Sequence, residues 1–113
     1  MNLVPSSHTT KKNKRWHVLY VKSKRETSIQ DQINALDLDI IAYSPTHVVI
    51  KQWKDRRKKV NTPLLPKIVL VKTEEKLRDK VFQIAGTVRY LFELRKPAIV
   101  REIEIEQLRA ITD

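Results

Sequence analysis

The stretch from Pro63 to Val71, which reads PLLPKIVLV, constrains the fold more than any other part of this chain. Three of the four residues in Ile68–Val71 are β-branched, which favours a strand over a helix. Because the run is continuously apolar and does not alternate, it predicts a strand that is buried on both faces. Pro63 and Pro66 lack a backbone N–H and suit the start of such a strand better than its middle. We therefore expect the sheet to be built around Ile68–Val71.

The length and composition predict one packed domain. A chain of 113 residues with 41% hydrophobic residues is long enough for a single core. The absence of cysteine excludes disulfides and thiolate metal sites. No apolar run approaches the roughly 20 residues of a membrane-spanning helix, and no apolar segment of a secretory signal follows the N-terminus, so a cytoplasmic protein is expected. Residues 1–14 are predicted to form a flexible basic tail, and residues 15–113 to form the domain.

The charge distribution indicates a polyanionic partner. The chain has 23 Lys and Arg residues against 13 Asp and Glu residues, which gives a formal net charge of +10. Many of the basic residues fall into three clusters, within Lys11–Arg15, Lys22–Arg25 and Lys51–Lys59. Clustered positive charge is typical of nucleic-acid binding, which we favour over binding to a membrane. The alternative is that the clusters are solvated loops that only aid solubility.

Hydrophobic periodicity predicts the remaining elements. Strands are expected at Trp16–Val21, Ile40–Tyr43, His47–Trp53 and Thr87–Phe92. Helices are expected over Glu26–Asp37, around Leu77–Ile84 with Gly86 at its end, and around Ile105–Ile111. The segment Lys54–Thr62 is predicted to be a basic loop at the tip of a β-hairpin that ends in the central strand. This order predicts an α+β fold with a four-stranded antiparallel sheet, a ferredoxin-like β-α-β-β-α-β arrangement followed by a C-terminal helix.

The two faces of the central strand are expected to have different neighbours. Strand side chains alternate, so Ile68 and Leu70 should lie on one face of the sheet and Val69 and Val71 on the other. The valines are predicted to pack under the two helices that carry Ile33 and Val81. No aromatic ring lies in Ile68–Val71 to stack bases, and an aliphatic sheet face is better suited to apolar side chains of a protein.

The sequence lacks the motifs of an enzyme. A single glycine, Gly86, excludes a Walker loop and a dinucleotide-binding fingerprint, which need several. The three histidines are scattered, and His17 is expected to be a hydrogen-bonded strand residue and not a catalyst. The glutamates near the C-terminus have no histidine paired with them: Glu102, Glu104 and Glu106. We therefore expect no enzymatic activity, no cofactor, no metal and no small-molecule substrate.

Several short motifs follow one another in a characteristic order. They are Trp16–Tyr20, Arg25-Glu26, Pro45, Arg56–Lys59, Pro63–Pro66, Gly86 and Pro97–Val100. On these residues the chain resembles, over about Arg15–Ile111, the N-terminal (NGN) domain of NusG-type transcription elongation factors. The resemblance is closest to the specialised bacterial antitermination paralogues of the RfaH and UpxY kind. Family members usually carry a C-terminal KOW domain after a linker, and no KOW segment precedes Asp113 here.

The resemblance implies a contact with bacterial RNA polymerase. In the family, a hydrophobic cavity grips the tip of the clamp helices of the β′ subunit. The family pattern is Pro-Leu-Phe-Pro-Gly-Tyr, a hydrophobic residue and Phe, so here Leu65 replaces Phe, Lys67 replaces Gly and Ile68 replaces Tyr. The expected cavity is therefore open and aliphatic. Its residues are Val18, Tyr20, Leu65, Pro66, Ile68 and Leu70.

The resemblance also implies contacts with upstream or non-template DNA and with the gate loop of the β subunit. The basic residues at the matching positions for DNA are Lys22, Lys24, Arg25, Arg56, Arg57, Lys58 and Lys59. The stretch that matches the gate-loop motif lacks the His-Thr-Thr of RfaH and offers Arg78, Asp79 and Lys80. Such a module acts without chemistry, by holding the polymerase clamp closed over nucleic acid and so reducing pausing or termination. The alternative is a stand-alone basic α+β nucleic-acid-binding domain without polymerase contact, whose apolar sheet face is covered by its own helix.

Overall fold

The computed structural model of the protein describes residues 14–112, so all of the predicted tail except Lys14 lies outside the described residues. The elements are β1 (Arg15–Val21), α1 (Glu26–Asn34), β2 (Ile41–Tyr43), β3 (Thr46–Trp53), β4 (Arg56–Pro63), β5 (Ile68–Thr73), a 3-10 helix (Glu75–Gln83), β6 (Thr87–Tyr90), β7 (Phe92–Glu93), β8 (Lys96–Pro97), β9 (Ile99–Val100) and α2 (Glu102–Thr112). This is an α+β fold with an antiparallel sheet, as predicted.

The main sheet has the strand order β2-β5-β1-β6. Strand β5 pairs antiparallel with β1, from Arg15↔Thr73 to Tyr20↔Ile68, and with β2 on its other side. Strands β1 and β2 therefore flank β5 and are connected through α1, which is the split β-α-β arrangement of ferredoxin-like folds. Strands β6 and β9 share the remaining edge of β1. With β9 the sheet has five strands, one more than predicted.

The two faces of β5 pack into two different hydrophobic clusters. Val69 and Val71 are buried in a cluster with α1 and the 3-10 helix, and this cluster includes Ile33 and Val81. Leu70 lies on the opposite face, in a second cluster that α2 covers. That cluster consists of Trp16, Val18, Leu70 and Ile105, with Ile68 partly buried against it. The predicted alternation of β5 is confirmed, because strand side chains point to opposite faces in turn.

The basic segment forms a strand, and the expectation of a basic loop is wrong. Strands β3 and β4 make a separate two-stranded sheet, paired from Thr46↔Pro63 to Trp53↔Arg56 and closed by a turn at Lys54-Asp55. The expectation that this hairpin ends in the central strand is also wrong. The ladder stops at Pro63, which has no N–H, and the N–H of Leu64 instead donates to the carbonyl of Pro45 at 2.8 Å.

Helix α1 ends at Asn34, earlier than the predicted end at Asp37. The Asn34 side chain donates to the carbonyl of Ala42 at 3.1 Å and accepts from the N–H of Ala42 at 2.8 Å. These two bonds satisfy the backbone of β2 as a neighbouring strand would. The chain then turns through Asp37 at a φ of 58°, which a helix does not allow.

The second predicted helix is present, but it is a 3-10 helix. The apolar residues Leu77, Val81 and Ile84 pack in the core as their helical spacing predicted. The helix ends at Gln83, and Gly86 lies in the turn before β6 at a φ of 100°, in the left-handed region that favours glycine. A Cβ there would meet Ile29 Cδ1 at 3.0 Å. The predicted strand Thr87–Phe92 ends at Tyr90. The N–H of Leu91 still donates to the carbonyl of Val18 in β1 at 2.8 Å, and the chain then leaves β1 because β7 pairs with β8.

Candidate functional surfaces

The six residues predicted to line an apolar cavity lie together at one end of the sheet, but they are not equally accessible. Val18 and Leu70 are buried, at 8% and 2% exposure, beneath Ile105 of α2. Tyr20, Leu65 and Ile68 are half-buried, and Pro66 is exposed. The expectation of an open cavity is therefore wrong at Val18 and Leu70. The surface that remains open consists of Tyr20, Leu65, Pro66 and Ile68, and we call it the apolar surface.

Helix α2 covers the buried part by packing Ile105 against it, and several polar contacts between the helix and the sheet accompany this packing. The indole N–H of Trp16 donates to Glu102 Oε2 at 3.1 Å, and Lys72 lies 3.2 Å from the same oxygen. The Trp16 hydrogen bond, aided by the Lys72 ammonium, lowers the pKa of the Glu102 carboxyl. At the other end of the helix, Arg109 lies over the Tyr43 ring at 5.3 Å. The helix is therefore an integral layer of the fold.

The apolar surface adjoins a cation. Tyr20 pairs across the sheet with Arg89, and the Arg89 guanidinium lies 4.8 Å from the centroid of the Tyr20 ring. This contact covers one face of the ring and holds it in place. Leu65 and Ile68 flank a tight turn, in which the N–H of Ile68 donates to the carbonyl of Leu65 at 3.2 Å. The turn presents Pro66 to solvent.

The predicted DNA-binding residues of the hairpin are exposed. Arg56, Arg57, Lys58 and Lys59 follow one another along β4 and are opposite Trp53, Gln52, Lys51 and Ile50 of β3. Because side chains alternate along a strand, Arg56 and Lys58 lie on one face of the hairpin and Arg57 and Lys59 on the other. Directly opposite residues of β3 share these faces. A cavity of about 450 Å³ is lined by Trp53, Arg56, Arg57 and Lys58.

Trp53 was expected only to be a strand residue and is not among the predicted site residues. The residue is 58% exposed beside the basic run. The signal that was available is an aromatic residue within a basic segment, a combination typical of single-stranded nucleic-acid binding.

The other predicted DNA-binding residues lie between β1 and α1. Lys22 and Lys24 are exposed, whereas Arg25 is half-buried. The Arg25 guanidinium donates to the carbonyl of Ala85 at 3.4 Å and lies beside Gly86. Arg25 therefore links α1 to the turn before β6, and the two lysines are the more accessible charges.

The three residues matched to the gate-loop motif lie on the 3-10 helix. Arg78 packs its guanidinium over the Phe92 ring at 5.2 Å, and its carbonyl accepts a hydrogen bond from the Tyr90 hydroxyl at 2.7 Å. Burial raises the pKa of that hydroxyl, so it remains a donor. Asp79 and Lys80 are exposed. Of the three side chains, these two are accessible to a partner, while Arg78 is occupied within the fold.

His17 is a structural residue. It is 2% exposed, and its Nδ1–H donates to the carbonyl of Arg15 at 3.0 Å, because a carbonyl oxygen can only accept. Its ring also packs edge-on against Tyr90 at 5.6 Å. Burial lowers the pKa of the imidazole and favours its neutral form. The expectation of a hydrogen-bonded strand histidine is confirmed.

Within residues 14–112, no group of three or more His, Cys, Asp or Glu side chains is arranged to hold a metal ion. No helix in the same range is long and apolar enough to cross a membrane.

Comparison with known proteins agrees with this fold. The model of the NusG family, described as transcription termination factor nusG, matches residues 14–109, which is nearly the whole described range. No curated protein matches the chain. The matched residues include the central strand, the apolar surface and the basic hairpin. The chain therefore belongs to the NusG family of transcription factors.

Proposed function

We propose that this chain is a transcription elongation or antitermination module of the RfaH and UpxY kind. In this proposal it binds the β′ clamp helices of bacterial RNA polymerase through its apolar surface and nearby upstream or non-template DNA through its basic residues. It reduces pausing or termination by holding the clamp closed, without any reaction of its own. The family match is the observation that carries the proposal.

The accessible part of the sheet face supports the polymerase contact. Tyr20, Leu65 and Ile68 are only half-buried and Pro66 is exposed, so this end of the sheet offers apolar area that the chain's own elements leave uncovered. Val18 and Leu70 lie directly behind them in the second cluster and would support the surface from within.

The charge supports the DNA contact. The predicted residues in the hairpin, together with Lys22 and Lys24, are exposed. Arg25 is bonded to Ala85 and would contribute less. For the gate loop, Asp79 and Lys80 are the residues we retain, since Arg78 packs on Phe92.

The test of the polymerase contact is Ile68→Glu, measured by capture of purified bacterial RNA polymerase and by thermal melting. We expect capture to be lost, because binding would force an unpaired carboxylate against an apolar partner. Ile68 is half-buried, so we also expect a lower melting temperature. A second variant, Pro66→Glu, places the charge at an exposed position of the same surface. The control is Ile111→Glu on α2, where the replaced side chain is 71% exposed.

Two results would contradict the polymerase contact. One is capture by folded Ile68→Glu and Pro66→Glu that equals capture by the wild type. The other is a wild-type chain that captures no polymerase while it still binds DNA. The second result would favour the alternative function, a stand-alone nucleic-acid-binding domain. One observation favours that alternative: α2 covers Val18 and Leu70, as a domain with a closed sheet face requires.

A further inference from the structure

We propose that the tip of the β3–β4 hairpin binds single-stranded nucleic acid, with an unpaired base stacked on the Trp53 indole. Lys51, Arg56 and Lys58, on the same face, hold the flanking phosphates. This inference rests on the proposed DNA contact of the hairpin, and it adds the form of the nucleic acid and the side chain that recognises it.

The exposure of Trp53 is the first observation. Trp53 is 58% exposed at the end of β3, where it pairs with Arg56 beside the turn. An indole has a large apolar area, so leaving it in water forfeits stabilisation that a partner would restore.

The contrast with Trp16 is the second observation. Trp16 is 2% exposed, its N–H is bonded to Glu102, and Lys72 and Arg109 each lie 5.9 Å from its ring centroid. Trp53 has no cation or aromatic ring stacked on it within the part of the chain that the structure describes. The exposed part of Trp53 is therefore not occupied by a cation or a ring of these residues and is accessible to a base.

The charge around Trp53 is the third observation. Lys51 and Lys58 are directly opposite each other, and like charges in that position destabilise a hairpin. The hairpin's single acidic residue is Asp55, in the turn. No ion pair found among residues 14–112 involves the hairpin. This positive charge is therefore not neutralised by an ion pair among those residues, and it is complementary to a phosphate backbone.

The combination of ring and charge indicates a single strand and not a duplex. Basic side chains alone contact the phosphates of either form. A base exposes its π-face to a side chain only when it is unpaired, and an aromatic residue in a basic groove is the common device for holding it. The cavity of about 450 Å³ at the hairpin tip is lined by Trp53, Arg56 and Lys58 of this face, and also by Arg57, which belongs to the opposite face. The opposite face of the hairpin has the exposed aliphatic residues Val48 and Ile50 in place of a ring.

The test titrates the full chain with oligodeoxythymidine and with the same oligomer in a duplex. We expect the single strand to quench the fluorescence of Trp53, while buried Trp16 remains as an internal reference. By anisotropy of a labelled oligomer, Trp53→Leu should bind the single strand roughly tenfold more weakly, as loss of one stacked base predicts. It should bind the duplex as the wild type does. The matched control is Ile50→Ala, which removes an exposed apolar side chain from the opposite face.

The salt dependence separates stacking from charge. Trp53→Leu should lower the affinity by the same factor at every salt concentration, since no phosphate contact is lost. Arg56→Ser should instead reduce the salt slope. If the hairpin does not distinguish ribose from deoxyribose, Trp53→Leu should weaken binding of oligouridine by the same factor as binding of oligodeoxythymidine. A smaller loss of affinity for oligouridine would assign the site to DNA.

Two results would overturn the inference. The first is saturation with oligodeoxythymidine without quenching. The second is an affinity of Trp53→Leu for the single strand that is no lower than the affinity of Ile50→Ala. If duplex binding persists in either case, the inference fails and the proposed DNA contact stands. If neither form binds at low salt, the DNA contact fails as well.

Discussion

The buried carboxylate of Glu26 accepts a hydrogen bond from the backbone N–H of Lys67 at 2.8 Å, across 41 positions of sequence. Glu26 is the first residue of α1 and is 3% exposed. Lys67 is the third residue of the Leu65–Ile68 turn and has a φ of 66°. This bond joins the start of α1 to the turn that presents the apolar surface, so one glutamate side chain fixes where β5 begins.

Glu26→Ala should destabilise the domain by about 1 kcal/mol, because it removes the acceptor of the part-buried N–H of Lys67. Glu26→Gln keeps an acceptor oxygen and should therefore lose less stability than Glu26→Ala. Urea denaturation of the three proteins measures the difference. Equal losses in the two variants would show that the hydrogen bond to Lys67 is not what the glutamate contributes.

Lys67→Gly should stabilise the domain by about 1 kcal/mol. A turn with Pro66 second and a positive φ third is of type II, which favours glycine there, and a side chain in the left-handed region is strained. Lys67 is exposed, so its side chain gives up little packing. Lys67→Ala is the control, since it removes the charge and keeps the strain, and it should give no gain. Thermal melting distinguishes the two.

Glu102 should contribute stability that acid removes. Its pKa is lowered in the folded protein from 4.5, so the stabilisation is present above that value and is lost as the pH falls through the folded pKa. The side chain is 52% exposed, which keeps the effect below about 1 kcal/mol. The difference in unfolding free energy between wild type and Glu102→Gln should therefore shrink from neutral pH to pH values below 4.5. A difference that is constant with pH would contradict this. The lowered pKa of His17 also favours the folded state at higher pH, but it is common to both proteins and cancels.

Replacing Arg56, Arg57, Lys58 and Lys59 with Ser should weaken DNA binding and flatten its dependence on salt. Each lost phosphate contact should reduce the slope of log affinity against log salt by about 0.9 for duplex DNA. Filter binding or anisotropy over a salt series measures the slope. Arg95→Ser with Lys96→Ser removes exposed charges from the β7–β8 hairpin and serves as the control. An unchanged slope in the fourfold variant would show that β4 does not contact the phosphates.

The sequence by itself determined the central strand and its two faces. The run Ile68–Val71 has no polar position and is mostly β-branched, which favours a strand buried on both sides, and alternation then separates Leu70 from Val69 and Val71. The order of the other predicted elements followed from the same periodicities, whereas β4 and β7–β9 were not predicted. These features are local, because spacing along the chain decides which side chains share a face.

Only the tertiary structure decided which parts of those faces stay open. Nothing in the spacing of Ile105 shows that it lies over Val18 and Leu70, because this contact joins residues that are far apart in the sequence. The basic run looked like a loop because its residues are polar, yet β3 supplies a partner for every residue of β4. Polar residues can form a strand when both faces of the sheet are exposed to water. The local pattern of hydrophobicity does not show which segments pair with each other. The left-handed turn at Lys67 is likewise held by Glu26, far away in sequence.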